Sequence, residues 1–192
     1  MLGSSATSRS IARPAESLVI GGGIAGCTLA YELARHGLKT VVLEQSAIAA
    51  ESSGRNTGTL LTGPQREVVE LFDASMAIYA ELADGPVPFE FGAIGHLLIS
   101  EHEADFTAAA AVAERYRAAG IGMEAVSGSE LARAYPRLGF RVAGGYFVER
   151  AGTLEPMGAT HAFAEAARAS GATFRTGIRV AQIHARNGKI EG

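Results

Sequence analysis

A single cysteine, Cys27, in 192 residues excludes an internal disulfide framework and a thiolate metal cluster, and it accords with a reducing, cytoplasmic setting. Long apolar runs are also missing: none approaches the roughly 18 residues needed to cross a bilayer. Charge is sparse, at 19% of residues with a net of −3, and no acidic or basic run exceeds two residues. Nucleic acid is therefore not an expected partner. Five histidines, His36, His96, His102, His161 and His184, show neither HxH nor HxxxH spacing, so no metal site is expected. A Gly-x-Ser-x-Gly nucleophile setting is absent as well. With 47% hydrophobic residues, the chain suffices for one good core, or for one domain with part of a second grafted onto it. Residues 1–16, rich in serine and alanine without an apolar signal core, read as a disordered tail rather than a transit-like leader.

Glycine, by contrast, is concentrated. Gly21-x-Gly23-x-x-Gly26 follows an apolar run, Leu18 to Ile20, and opens a segment of helical spacing from Ile24 to Arg35. Each glycine has its own steric task. The first permits a sharp turn out of the strand, the second lets backbone approach a pyrophosphate, and the third lets helix and strand pack closely. The helix begins at Ile24 and Ala25, so its unpaired N–H groups and positive dipole end point at the phosphates. Gly37 stops the helix, and Thr40 to Leu43 forms the next apolar strand. The order predicts a βαβ unit with parallel strands. Glu44 ends that strand, followed by Gln45, where a carboxylate accepts hydrogen bonds from ribose hydroxyls and repels a 2′-phosphate. FAD or NAD is thus expected over NADP, and this position does not separate the two.

Residues 47–64 are small and polar and read as a long loop. Helices are expected over 65–82, 104–119, 129–135 and 156–169, the last beginning at Pro156. Strands are expected over 96–100, 123–126, 142–148, 173–175, 178–184 and 189–191, with a type I′ hairpin at Asn187-Gly188. Cys27, one residue past the third glycine, reads as a small packing residue. His36 suits the helix's negative end, and Glu149 and Arg150 read as a surface pair.

The stretches VIGGGIAGCTLAYELARHGLKTVVLE (19–44) and SSGRNTG (52–58) resemble the amino end of the D-amino-acid-oxidase-like group of FAD-dependent oxidoreductases, which includes glycine and sarcosine oxidases. The second stretch moves the choice of ligand to FAD, held non-covalently. The resemblance implies that Ser53, Gly54, Arg55, Asn56 and Thr57 run beside the flavin and its pyrophosphate, with Arg55 offsetting phosphate charge. It continues more loosely through GHLLIS (95–100), LARAYPRL (131–138), the stretch at 152–174, and TGIRVAQI (176–183), where the backbone at Val180 would meet the adenine. It covers the first half of such enzymes.

The fold class expected is α/β, a Rossmann-like FAD-binding domain with part of an inserted α+β substrate domain. The FAD-binding part would occupy 17–84 and 151–192, incomplete at the carboxyl end, and the partial substrate domain 85–150. The function implied is oxidation of a small-molecule amine or amino acid by hydride transfer to FAD. The segment after the loop lacks the histidine that glycerol-3-phosphate dehydrogenases carry, which tilts the substrate toward amines. The alternative is a non-catalytic dinucleotide-binding module, or a subunit that a partner chain completes. No residue emerges as catalytic.

Overall fold

The computed structural model describes residues 15–138 and 141–190. Of the expected tail, positions 1–14 lie outside these residues, as does the end of the last expected strand at Glu191. The elements run β1 (Ser17–Ile20), α1 (Ile24–Arg35), β2 (Thr40–Leu43), β3 (Thr59–Leu61), α2 (Arg66–Ala83), β4 (Phe91–Gly92) and β5 (His96–Ser100). They continue with α3 (Glu103–Ala118), β6 (Met123–Ser127), α4 (Gly128–Ala134), β7 (Gly144–Val148), β8 (Ala151–Leu154) and α5 (Pro156–Ala169). The last are β9 (Thr173–Arg175), β10 (Ala185–Arg186) and β11 (Lys189–Ile190).

The first sheet is wholly parallel, in the order β1-β2-β9. Ser17 faces Thr40 and Ile20 faces Leu43 across one pair, and Val41 faces Thr173 across the other. Parallel strands need crossovers, and α1 and α5 supply them. The helices cover one face through Val19 and Val42, and they approach closely because their facing residues are alanines: Ala30, Ala34, Ala164 and Ala167 are all buried. Phe163 sits edge-on to both Tyr31 and Tyr79, with ring centroids 5.8 Å apart in each case. That cluster ties α1, α2 and α5 into one core, and burying an aromatic such as Phe163 is worth about 1.5–3 kcal/mol.

The remaining sheets are antiparallel, β3-β8-β4 and β5-β7-β6. The second of these packs with α3 around Ile121, Met123, Tyr146 and Val148, with Val69 of α2 closing the cluster. Phe106 stacks obliquely on Tyr146 at 5.3 Å. The helix α4 is started by a capping box in which Ser127 and Glu130 exchange hydrogen bonds, a bond set that holds the exposed Glu130 carboxyl below its ordinary pKa.

Three strands depart from the sequence expectation. Residues 59–61 lie inside the presumed loop, and 91–92 and 151–154 were not expected as strands, yet all three pair in one sheet. Each is too short to show a period of two, so only the pairing defines them. The expected strand at 178–184 is a correction in the other direction: the segment makes no ladder. A strand requires a neighbour to exchange hydrogen bonds with, and among the described residues none is aligned with it. The hairpin follows as expected, with Asn187 at φ 51° and Gly188 at φ 75° between β10 and β11.

Gly26 within α1 and Gly37 just beyond its end separate crowding from backbone conformation. A methyl on Gly26 would run into the carbonyl oxygen of Gly21, whereas one on Gly37 would meet open space but sit at φ +81°. Gly26→Ala should therefore lower the unfolding free energy by about 3 kcal/mol, as overpacking against rigid backbone does, and Gly37→Ala by about 1 kcal/mol. Urea denaturation of both variants checks this; equal losses would show that the strand and helix are not in the close contact described.

Candidate functional site

The carboxyl ends of β1 and β2 bring the glycine turn and Glu44 together, the place where open parallel sheets bind ligands. Gly21 leaves β1 at φ +105°, with nothing near the position of a Cβ, so its requirement is purely conformational. Its amide still donates to the Leu43 carbonyl at 2.8 Å, which carries the parallel pairing one residue further. Gly23 is the N-cap of α1, at φ −79°. A Cβ there would lie 2.9 Å from the Ser53 hydroxyl oxygen, so the loop is seated directly on the turn.

Glu44 is held at both oxygens. The Gly22 amide donates to Oε2 at 2.6 Å and the Ser46 amide to Oε1 at 2.7 Å. Each oxygen retains a lone pair, which leaves the carboxylate oriented and still able to accept from a diol. Gln45 beside it is exposed. The Ile24 amide donates to the Ser53 hydroxyl at 2.9 Å, and the hydroxyl keeps its own proton to donate onward. Among the described residues, the amides of Gly23, Ala25 and Gly26 meet no acceptor. Those orphan donors at the helix start, a bare glycine cradle and a fixed carboxylate together fit a dinucleotide: the amides and Ser53 for its pyrophosphate, and Glu44 for its ribose.

The rest of the predicted loop is arranged differently. Gly54 lies against the Ala49 carbonyl, where a Cβ would clash. Asn56 turns inward: its amide nitrogen donates to the Ser52 and Ser53 carbonyls, at 3.0 and 3.1 Å, and its oxygen accepts from the Gly58 amide at 2.8 Å. It shapes the loop. Thr57 shares a hydrogen bond with Thr59 at 3.2 Å. Arg55 reaches Glu51 at 3.7 Å, with both side chains about 70% exposed, a pair of small worth that leaves the guanidinium available. Between the loop and α5 lies a cavity of about 90 Å³ lined by Ile24, Ser53, Asn56, Tyr79 and Thr160. Burial pushes the pKa of Tyr79 up.

Val180 is half-buried. It is connected to the site through the backbone, since the Ile178 amide donates to the Glu44 carbonyl at 2.9 Å. It lines a groove of about 810 Å³ on the sheet face opposite α1 and α5, together with Leu18, Ile20 and Leu43. Ala49 and Ser46 are the residues that sequence reasoning missed. Neither residue type signals a role, and only their hydrogen bonds and backbone angles reveal one.

A sequence model described as DAO, FAD dependent oxidoreductase, matches residues 16–192. The chain belongs to this family. The glycine oxidase from Bacillus cereus ATCC 14579 has the same fold, with a TM-score of 0.79 at 24% identity, over 92% of this chain and 50% of that one. The Gamma-glutamylputrescine oxidoreductase of Escherichia coli (strain K12) is 34% identical over 87 residues, 45% of this chain and 20% of its own length. The mitochondrial Pyruvate dehydrogenase phosphatase regulatory subunit of Mus musculus is 26% identical over 98% of this chain and 22% of its own. The chain thus spans about half the length of the solved structure and about a fifth of the two curated relatives. The α/β architecture with a parallel sheet is that of FAD-binding members of the DAO family. No described helix is long and apolar enough to cross a membrane.

Two other residues of this DAO-family chain are engaged by structural partners. His36 places Nδ1 2.8 Å from the Glu32 carbonyl at the end of α1, and Arg150 pairs with Asp73 at 3.2 Å. Cys27 is fully buried, with Sγ 3.5 Å from the Gly22 carbonyl. Burial pushes its thiol from 9.0 up to about 11, the Arg168 cation works against that shift, and the Glu44 charge adds to it. Since the folded pKa is the higher one, the thiol's contribution to stability is complete below pH 9.0 and is lost as pH rises through about 11. At pH 8 the native chain should resist a disulfide reagent and the guanidinium-unfolded chain should react at its single thiol. Rapid native labelling would show that the packing around α1 opens.

Proposed function

We propose that this chain binds FAD non-covalently and forms part of an oxidoreductase acting on amines or amino acids. The observation that carries the reading is the convergence of unpaired helix-start amides and the doubly held Glu44 carboxylate on one glycine turn. Ser53 serves the pyrophosphate with the Gly23, Ala25 and Gly26 amides, and Glu44 orients the adenosine ribose. Arg55 adds positive charge after leaving its exposed pair with Glu51. Gly54, Asn56 and Thr57 keep the loop low enough for the flavin to pass, and the Val180 backbone borders the adenine. When bound, FAD would supply the electron-accepting chemistry for oxidising the carbon that bears the substrate nitrogen.

The choice of amines follows the names of the E. coli oxidoreductase and the B. cereus oxidase, and the loop bearing Arg55. Residues 17–84 and 151–192 would form the cofactor-binding part and 85–150 the beginning of the substrate-binding part. The single free Cys27, with no second cysteine in the chain, accords with a cytoplasmic setting.

A second reading has support of its own. The relative aligned along 98% of this chain is named a regulatory subunit, and Leu18 and Ile20 are more than half exposed on the sheet face opposite the helices. On that reading the chain holds the dinucleotide without turnover, and a partner chain completes it.

Expression of residues 1–192 followed by gel filtration and an absorbance spectrum should show bound flavin. Bleaching of that flavin by an amino acid or methylated amine supports the enzyme, retained flavin without bleaching supports the module, and NAD binding without flavin would sink the FAD assignment. Glu44→Ala should weaken FAD binding about tenfold or more, the worth of hydrogen bonds to a charged group. An unchanged dissociation constant removes the ribose role.

A further inference from the structure

Ala49 has an unusual position among the residues around the turn. It is 1% exposed, its backbone is left-handed at φ 61°, and its amide donates to the Gly22 carbonyl at 3.0 Å. Gly22 is thus gripped on both flanks, its carbonyl accepting from the Ala49 amide and its own amide donating to Glu44 Oε2. On its other side, the Ala49 carbonyl lies where a Cβ on Gly54 would be, and only the absence of that Cβ admits it. Ile48, buried in the core, anchors the approach to this bend. A residue with L chirality adopts this φ at a cost, and β-branched residues hardly at all. Strain of this kind persists only where surrounding structure imposes it.

We infer that Ala49 is a positioning residue for the dinucleotide: its left-handed backbone holds Gly22 between the Ala49 amide, which donates to its carbonyl, and the Glu44 carboxylate, which accepts from its amide. The inference rests on the reading of this turn as the dinucleotide site. The left-handed angle turns the amide back toward Gly22 while sending the carbonyl over Gly54, so a single residue joins the glycine turn to the loop bearing Ser53. Enclosure restricts the side chain to a methyl or less. Relaxing φ to a negative value withdraws the amide, frees the Gly22 carbonyl, and lets the Glu44 carboxylate lose its fixed direction.

The test compares Ala49→Val with Ala49→Gly in the 192-residue chain. Valine cannot hold the angle, whereas glycine holds it and gives up only the methyl. FAD titration of the folded protein should show Ala49→Val weakened about tenfold or more and Ala49→Gly within about threefold of wild type. If Ala49 served only as a core methyl, Ala49→Gly would also weaken binding well beyond threefold, and that result overturns the inference. So would equal affinities for all three proteins. Wild-type FAD retention in the same titration judges the reading of the site separately. A ligand-free measurement covers both a chain without flavin and a valine variant that folds poorly. Amide hydrogen exchange at Gly22 should be no more than about threefold faster in Ala49→Gly, and about tenfold faster in Gly54→Ala, whose methyl presses on the Ala49 carbonyl. An unchanged Gly22 rate in Gly54→Ala overturns the lock.

Discussion

Gly22 is the residue on which the glycine turn depends. Its amide is committed to Glu44 and its carbonyl to Ala49, so the two rigid peptide planes that meet at its Cα refer the end of the second strand and the loop beyond it to one residue. The Cys27 thiol also approaches that carbonyl, which brings the first turn of α1 into the same arrangement. Because these groups lie at the carboxyl ends of β1 and β2, the register between the strands, with Ile20 opposite Leu43, sets how far the turn stands from the carboxylate. Slipping one residue in that register would exchange the buried Val19 and Val42 for their exposed neighbours, and the core resists that.

Packing of α1 and α5 provides the resistance. Alanines at the contact allow the two helices to lie close, and the ring of Phe163 fills the space left between Tyr31 and Tyr79. This core carries the parallel sheet on one side only. The opposite face, with Leu18, Ile20 and Leu43, borders the groove along which residues 178–184 run. Parallel sheets are ordinarily covered on both faces, and here, among the described residues, that face is bordered by the segment tied to Glu44 through Ile178. The second core, around Ile121 and Tyr146, borrows Val69 from α2, and the Tyr116 hydroxyl reaches the Thr62 carbonyl at 2.7 Å. The loop bearing Ser53 is therefore followed by a strand whose far end is fastened to α3.

Much of the cofactor end was legible in the residues. The βαβ unit, the stop at Gly37, the start of α5 at Pro156 and the hairpin at Asn187-Gly188 each follow from a local rule, because glycine frees the backbone and proline fixes it whatever surrounds them. The strands 59–61, 91–92 and 151–154 were not legible. Their only identity is their pairing, which joins residues nearly a hundred positions apart. Residues 178–184 failed in the opposite sense, having the composition of a strand and no partner among the described residues.

The amino-acid sequence by itself determined that a dinucleotide turn would form and that the acid ending the next strand would face it. Those features depend on steric freedom at Gly21, Gly23 and Gly26 and on strand length, both local properties. Tertiary structure alone decided how the loop is used: Asn56 turned inward, Arg55 paired with Glu51, and Ser53 placed against the Ile24 amide. It also gave an alanine, a residue without chemistry of its own, a left-handed bend beneath the turn. The reason is that a hydrogen bond between residues 22 and 49 depends on where folding brings two backbones, and no side chain announces it.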